Sequence, residues 1–391
     1  MKTWKSLTLS LALLGASSVM AQSLEVLHVK EDISKIGFNS ALWQKAKAGT
    51  VEAYPQTTIE MNDAKLMHEN ANNKAKKVRV KTIQNGEYVA FLVQWKDATK
   101  SIQEGYASDV YGDGFAVQLP TTLDKLPYIG MGSDGRAVIV HLQKATGKTY
   151  EPNNNQDVYH QLNSSNQNAF AGDLATYKAN VGAQGNGDYQ KVFIAEGFRS
   201  TTQIRDTSEA SRMEMRYENG TWNGLLVRKL KSEHLDLSKG SFPVAFAFWD
   251  GSKKNRDGSK LLTSWVGVGA QKLISLDELS GGDIKNGETI MLENCAACHQ
   301  YKTVKNAPNY MAPELSNIGG YSNASYLLES IVDPSAVVVP GYNTTAHPNF
   351  PWYSVDKGVR SSTMPPFSHL DEKSLKDLVA YLKTLKAEVE K

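Results

Sequence analysis

Apolar and polar residues alternate in short runs along most of the chain. Val78-Arg79-Val80-Lys81-Thr82-Ile83 follows the period of two expected of a strand with one face buried, and Glu87-Tyr88-Val89-Ala90-Phe91-Leu92-Val93 is a second strand candidate. Asn85-Gly86 between them is a hairpin signal, because a two-residue turn of that kind asks for positive φ at both positions. Further strand candidates are residues 114–119, 137–142, 212–217, 225–230 and 244–249. Short strands with turn signals between them predict an antiparallel β-sandwich from about residue 25 to 275. Beyond residue 280 the period changes. Leu375, Leu378, Val379, Leu382 and Leu385 recur at helical spacing and predict a helix with one apolar face. The expected fold class is a mainly β N-terminal domain followed by an all-α C-terminal domain.

Residues 151–190 break the strand rhythm. They are rich in Asn, Gln, Gly and Ser, with Asn153-Asn154-Asn155-Gln156 the densest stretch, and read as a long polar insertion. Ser280-Gly281-Gly282 supplies a flexible joint. At the N-terminus, Lys2 and Lys5, the apolar run from Leu7 to Leu14, and Val19-Met20-Ala21 read as a secretory signal peptide cleaved after Ala21. That run is too short to span a bilayer. The expected organisation is a signal peptide at 1–21, a β domain at 22–276 and a helical domain at 277–391. In a bacterium the exported protein would reside in the periplasm.

Composition narrows the chemistry. With 43 basic against 41 acidic residues, charge gives no case for nucleic acid or an anionic membrane surface. An apolar content of 41% is enough for a core that has no disulfide framework to help it. The two cysteines are both claimed by Cys295-Ala296-Ala297-Cys298-His299, the spacing of a covalent c-type haem attachment site. On a helix, positions i, i+3 and i+4 share a face. Two thiols so placed reach the two vinyl groups of one porphyrin, with His299 beneath the iron as an axial ligand.

The flanks extend this reading. Gly281-Gly282-Asp283-Ile284-Lys285-Asn286-Gly287-Glu288 before the motif, Ala312-Pro313-Glu314-Leu315-Ser316-Asn317-Ile318-Gly319 after it, and Met364-Pro365-Pro366 together resemble a class I cytochrome c. The resemblance implies that the terminal helix packs on the first, with Tyr381 near Gly287, and that Met364 is the second axial ligand of haem c. Met311 is a rival, close to the motif for a loop that must cross to the opposite haem face.

The large domain has its own pattern. Leu92-Val93-Gln94-Trp95-Lys96-Asp97, Gly112-Asp113-Gly114-Phe115-Ala116-Val117, Pro127-Tyr128-Ile129-Gly130-Met131-Gly132-Ser133, Gly220-Thr221-Trp222, Ala245-Phe246-Ala247-Phe248-Trp249-Asp250-Gly251 and Lys260-Leu261-Leu262-Thr263-Ser264-Trp265 occur in that order. Together they resemble the haem-binding domain of the ethylbenzene dehydrogenase gamma-subunit family, whose relatives include subunits of dimethylsulfide dehydrogenase, selenate reductase and chlorate reductase. The resemblance implies a β-sandwich holding one non-covalent haem b between a methionine and a lysine. By position these are Met131 and Lys260. Lys253, Lys254 and Arg256 lie near enough for the lysine to be displaced by a turn, and His141 is the rival ligand. The chain departs from those subunits in its fused cytochrome domain and its polar insertion.

Two irons with two protein ligands each would leave no open position for a substrate. The expected function is a dihaem electron carrier with haem c and haem b. It would pass single electrons between a respiratory redox enzyme, by family analogy a molybdenum enzyme of the dimethyl sulfoxide reductase type, and another carrier such as a soluble cytochrome. No nucleophile–base pair stands out, and Asp113 and Asp250 read as isolated carboxylates in turns. The alternative is a ligand- or substrate-binding sandwich with a single c-type haem, acting as a sensor or a small-molecule oxidoreductase.

Overall fold

The computed structural model describes residues 23–58, 64–103, 111–123, 125–145, 188–204, 210–269, 281–344 and 346–390. The expected signal peptide, nearly all of the polar insertion and Ser280 of the joint lie outside the described residues.

The N-terminal region is built from fourteen described strands. These are β1 (Ser23–Leu24), β2 (Val26–His28), β3 (Ala48–Pro55), β4 (Lys76–Gln84), β5 (Tyr88–Lys96), β6 (Gly114–Pro120) and β7 (Val138–Ala145). They continue with β8 (Asp188–Ala195), β9 (Thr202–Ile204), β10 (Ser211–Glu218), β11 (Thr221–Lys229), β12 (Phe242–Trp249), β13 (Leu261–Leu262) and β14 (Val266–Val268). Hydrogen bonds run through β10-β11-β5-β4-β3-β13-β12-β6-β7-β8-β9 as one ladder, antiparallel throughout. Only the short edge pairs β1–β14 and β2–β4 are parallel.

The ladder folds back so that β5 and β11 face β6 and β12. Trp95 of β5 lies 5.0 Å from Phe248 and 5.6 Å from Phe115, ring to ring, and Phe91 lies 6.2 Å from Phe246. Gly224 of β11 makes room for this packing, since a Cβ there would stand 2.7 Å from Cζ of Phe115. The β4–β5 turn differs from expectation. Register pairs Gln84 with Val89, which places Gly86-Glu87 at the turn centre, and only Gly86 has positive φ, at 88°. Such a turn needs its glycine at the first central position. Asn85 instead sits before it and accepts from the N–H groups of Glu87 and Tyr88.

Strand β12 explains the second layer. Its sequence Phe-Pro-Val-Ala-Phe-Ala-Phe-Trp is buried at every position. Phe242, Val244, Phe246 and Phe248 belong to the sandwich interior. Ala245, Ala247 and Trp249 point the other way, into a core continuous with the helical region. A strand buried on both faces reads as an unbroken apolar run.

The C-terminal region contains α3 (Ile284–Asn294), α4 (Ile318–Tyr321), α5 (Ala324–Val332) and α6 (Glu372–Leu382), after the short α1 (Leu42–Lys45) and α2 (Ala64–Ala71) of the β region. A small hairpin, β15 (Tyr353–Asp356) and β16 (Val359–Ser362), adds to the helices. Asp283 caps α3 and Asp371 caps α6, each accepting backbone N–H groups of the first turn, as capping carboxylates do. The two helices cross at Gly287, where a Cβ would stand 2.0 Å from the carbonyl oxygen of Asp377 and 2.9 Å from Cβ of Tyr381. Asp377 ties the crossing together. It pairs with Lys373 at 2.6 Å and accepts from Asn286 Nδ2 and Asp283 N, both at 2.7 Å. These partners, Lys373 first, hold its carboxyl down at about 2.

The two regions are docked at many points. Asn323 accepts from the N–H of Trp265 at 3.1 Å and donates to its carbonyl at 3.3 Å. Arg136 forms a two-pronged pair with Glu329 at 2.9 and 2.8 Å. Arg360 reaches Asp134 at 2.9 Å, and Asp134 N donates to Val338 O at 2.8 Å. Ala75 and Val389 form a parallel bridge. The expected flexible joint therefore connects regions that share one core.

Asp113 and Asp250 are not isolated. With Asp97 they are buried, ligand atoms within 4.8 Å of one another, and Lys76 Nζ lies 3.5 Å from Asp97 and 3.4 Å from Asp250. Asp113 accepts from Ser101 N, Gly251 N and the Trp222 indole. Burial still pushes its carboxyl up to about 6. These groups knot three loops beneath β5, β6 and β12; the Lys76 ammonium, with Lys253 3.8 Å from Asp250, supplies counter-charge.

Candidate functional site

Two cavities of similar size lie on either side of one loop. The first, about 530 Å³, opens on the outer face of β6, β7, β12 and β13. Ala116, Ala245 and Ala247 give this face its flatness, and Val140, Leu142 and Leu262 continue it. Small side chains here leave room that larger ones would fill.

Met131 and Lys260 both line this cavity. Met131 sits in the tight turn 128–132, with φ at 81°. A non-glycine residue in that region costs about 1–2 kcal/mol, and such outliers concentrate at functional sites. The turn is held by Gly132 N donating to Tyr128 O at 3.1 Å and Gly197 N donating to Met131 O at 2.9 Å. Gly132 approaches the backbone of β8, where a Cβ would stand 2.7 Å from Ala195 O.

Lys260 enters from the start of β13. Its carbonyl accepts from Gln56 N at 3.0 Å and Asn70 Nδ2 at 3.3 Å, and Nζ lies 5.1 Å from the ring of Trp249. The side chain is 4% exposed, and burial pushes its ammonium down to about 8. A lysine can bind iron only as the free amine, so this is the environment a lysine ligand needs. Lys253 and Lys254, the neighbouring alternatives, are exposed and do not line the cavity. Arg256 does, together with Lys144, Arg199 and Asp257. The lining therefore carries an excess of positive charge, suited to the two propionates of a haem.

His141 is ruled out of this cavity by strand alternation. Val140, Leu142 and Lys144 of β7 face it, whereas His141 points into the sandwich and meets Arg228 Nη1 at 3.1 Å. Burial, then the Arg228 charge, holds its pKa well below the ordinary range.

The second cavity, about 510 Å³, is lined by Cys295, Cys298, His299, Met311 and Met364. The motif closes as a turn at the end of α3, with His299 N donating to Cys295 O at 2.9 Å. His299 Nδ1 lies 2.8 Å from Pro313 O. Donating there fixes the tautomer and leaves the Nε2 lone pair for a metal. Burial lowers the His299 pKa, which favours the neutral ring that coordination requires. Cys295 and Cys298 are unpaired thiols, and burial pushes Cys295 up to about 11. Met311 is two residues from Pro313, on the segment tied to His299. Met364 comes from the separate loop after β16. Both cavities thus fit a haem by donor set, size and apolar lining.

Sequence reasoning missed several lining residues. Thr58 and Tyr128, both from the β region, close the second cavity beside Tyr326 and Tyr342. The alanines of β6 and β12 carry a faint signal, the small-large alternation Ala245-Phe246-Ala247-Phe248. Nothing local marked Thr58 or Arg199.

A fold with two such cavities belongs to an electron-transfer haem protein. The family model described as ethylbenzene dehydrogenase matches residues 40–261, more than half of the chain, and that described as cytochrome c matches residues 284–386. The chain belongs to the ethylbenzene dehydrogenase family and carries a cytochrome c domain, whose two cysteines fit covalent attachment of haem c. It is 22% identical over 192 residues to a Haloferax mediterranei protein provisionally named a respiratory nitrate reductase heme subunit. That match covers 48% of this chain and 54% of the relative, so the chain spans about half the relative's length. Among solved structures, a Bacteroides uniformis protein provisionally described as carbohydrate-binding is 9% identical, with a TM-score of 0.32, over 62% of this chain and 89% of that one. A family 9 carbohydrate-binding module from Caldicellulosiruptor kristjanssonii, with cellotriose bound, is 6% identical with a TM-score of 0.29, over 65% and 97%. At those scores neither likeness bears on ligand or function. No helix among the described residues is long and apolar enough to cross a membrane.

Proposed function

We propose that the protein is an exported, periplasmic dihaem carrier that passes single electrons between a respiratory redox enzyme and a second carrier. Cys295 and Cys298 would hold haem c covalently, and His299 and Met364 would ligate its iron. Haem b would be held without covalent bonds, with Met131 and Lys260 ligating its iron. The observation that carries this reading is that Met131 and Lys260, far apart in sequence, line one apolar cavity.

When bound, each haem supplies reversible one-electron exchange at iron. The chain's residues do the rest. Met131 and Met364 offer soft, neutral thioethers that favour the reduced metal. Lys260, already pushed toward its free amine by burial, offers nitrogen. The alanines and leucines of the sheet exclude water, and Lys144, Arg199 and Arg256 would meet the propionates. With two protein ligands each, the irons would offer no position to a substrate, which would make the chain a carrier or an electron-transfer subunit. The Haloferax relative's name supports a respiratory reductase as partner, and the family analogy points to a molybdenum enzyme. The signal-like N-terminus and the c-type motif support export to the periplasm.

The test is haem content of the mature protein made with a c-type maturation system. A pyridine haemochrome spectrum is recorded before and after acid-acetone extraction. One retained and one extractable haem is the expected result, and Met131→Ala removes the extractable one. A protein loaded with ample haem that yields only the retained haem would falsify the haem b assignment.

A further inference from the structure

What separates the two cavities is one short loop. Tyr128 lines the cavity of the Cys-x-x-Cys-His motif, while Ile129 and Met131 line the cavity of the sheet. The Tyr128 side chain is 1% exposed. Its hydroxyl bonds to Thr58, and its ring lies 5.4 Å from Tyr326 and 6.1 Å from Tyr342. The backbone behind it is cross-linked. Gly132 N donates to Tyr128 O and Met131 N to Ile129 O, each at 3.1 Å. Trp265 Nε1 donates to Pro127 O at 3.0 Å, and Gln118 Nε2 to Ile129 O at 2.8 Å. Met131 is thus joined to the Tyr128 ring through one hydrogen bond and a few covalent bonds, inside packed protein.

We propose that Tyr128 is the bridge through which an electron passes between haem b and haem c. The inference rests on the two-haem reading above. One iron loses an electron and the other gains it, and no bond in the protein forms or breaks. The tyrosine keeps its proton and its closed shell, serving as a medium for the electron. Burial, then the neighbouring Tyr342 and Tyr321, hold its phenol well above the ordinary range, consistent with a ring that stays neutral.

The test uses the full chain loaded with both haems. One haem is reduced by a radiolytic pulse, and redistribution between the two is followed at several protein concentrations. Tyr128→Phe keeps the ring and holds the rate within about twofold. Tyr128→Leu slows it by about tenfold or more, since the fold controls the medium between cofactors. Haem content and both midpoint potentials are measured in each variant, so that rates are compared at known occupancy and driving force, which separates the bridge from a merely structural role. Tyr128→Leu also alters the Soret circular dichroism of haem c, because the ring lines that cavity. An unchanged rate in Tyr128→Leu, with both haems bound, overturns the bridge. Should that variant not fold, the wild type decides. Redistribution independent of protein concentration supports an internal path; a rate proportional to concentration overturns it. A wild type with only one haem is detected by haem content before any rate is measured, and overturns the two-haem reading instead.

Discussion

The two cavities are nearly equal in size, about 530 and 510 Å³, yet they are written into the chain in opposite ways. The cavity of the helical region is specified locally. Five consecutive residues at the end of α3 bring two thiols and an imidazole together, and one carbonyl, Pro313 O, sets the tautomer of His299. The cavity of the sheet is specified by topology. Met131 lies in a loop and Lys260 at the start of β13, and antiparallel pairing of β13 with β3 and β12 brings them to one place. A covalent site can be carried by a short motif, because thioether bonds secure the cofactor. A site without covalent bonds needs a prepared surface, and here that surface is a sheet face lined with alanine.

The largest effect that tests this contrast is loss of the thiols. The double change Cys295→Ser, Cys298→Ser removes all acid-resistant haem and leaves the extractable haem in place, as haemochrome spectra before and after extraction will show. If the extractable haem disappears as well, the sheet cavity depends on its neighbour and the contrast fails.

Next comes the choice of sixth ligand in the helical region. Met364→Ala keeps the covalent haem but loses the methionine-ligated spectrum and lowers the midpoint potential, since a thioether favours the reduced iron. Met311→Ala leaves both unchanged. A reversal of these two outcomes would exchange their roles.

A third effect is read in the protein stripped of extractable haem. Lys260 has its pKa lowered from 10.5 to about 8 by burial. Between those values the unfolded chain binds more protons than the folded one, so folding stability rises with pH through this window. The rise is on the order of 3 kcal/mol in all. It is lost again as pH falls through about 8. Denaturant titrations between pH 7.5 and 10.5 measure it, and Lys260→Met should flatten the slope.

The smallest effect concerns the docking of the two regions. Glu329→Gln weakens the two-pronged pair with Arg136 and lowers stability by roughly 1–2 kcal/mol, because Glu329 is half-buried and partly screened. The two regions still unfold in one transition, since a shared core remains. Two separate calorimetric peaks in the wild type would break that expectation.

The strands were most legible where one face was buried and the other wet, as in Lys76–Gln84. The helical face of Leu378, Val379 and Leu382 was legible from its period, and its contact with Gly287 followed from the resemblance to a class I cytochrome c. Less was legible where a residue is buried on both sides. Phe242–Trp249 looks like any core strand, and only its partners reveal that alternate alanines border a second cavity. His141 looked like a ligand because one sequence does not say which face of a strand meets which layer; a shift of one residue reverses the answer. Asp113 and Asp250 looked isolated because what joins them, the cluster with Asp97 and the Gly251 N–H that Asp113 accepts, forms only when separate strands pair. The contribution of Thr58 and Tyr128 to the cytochrome cavity could not be read locally, since it exists only after the two regions meet.

That meeting fixes how the molecule can encounter others. A cytochrome on a loose tether searches a volume set by its linker and can present its haem edge in many orientations. Here Asn323 on Trp265, Glu329 on Arg136 and Asp134 on Arg360 hold the cytochrome domain in one pose. The two cavities therefore keep one relative orientation. Any encounter with another protein becomes a rotational search by the whole molecule, its rate governed by orientational constraint instead of by linker length.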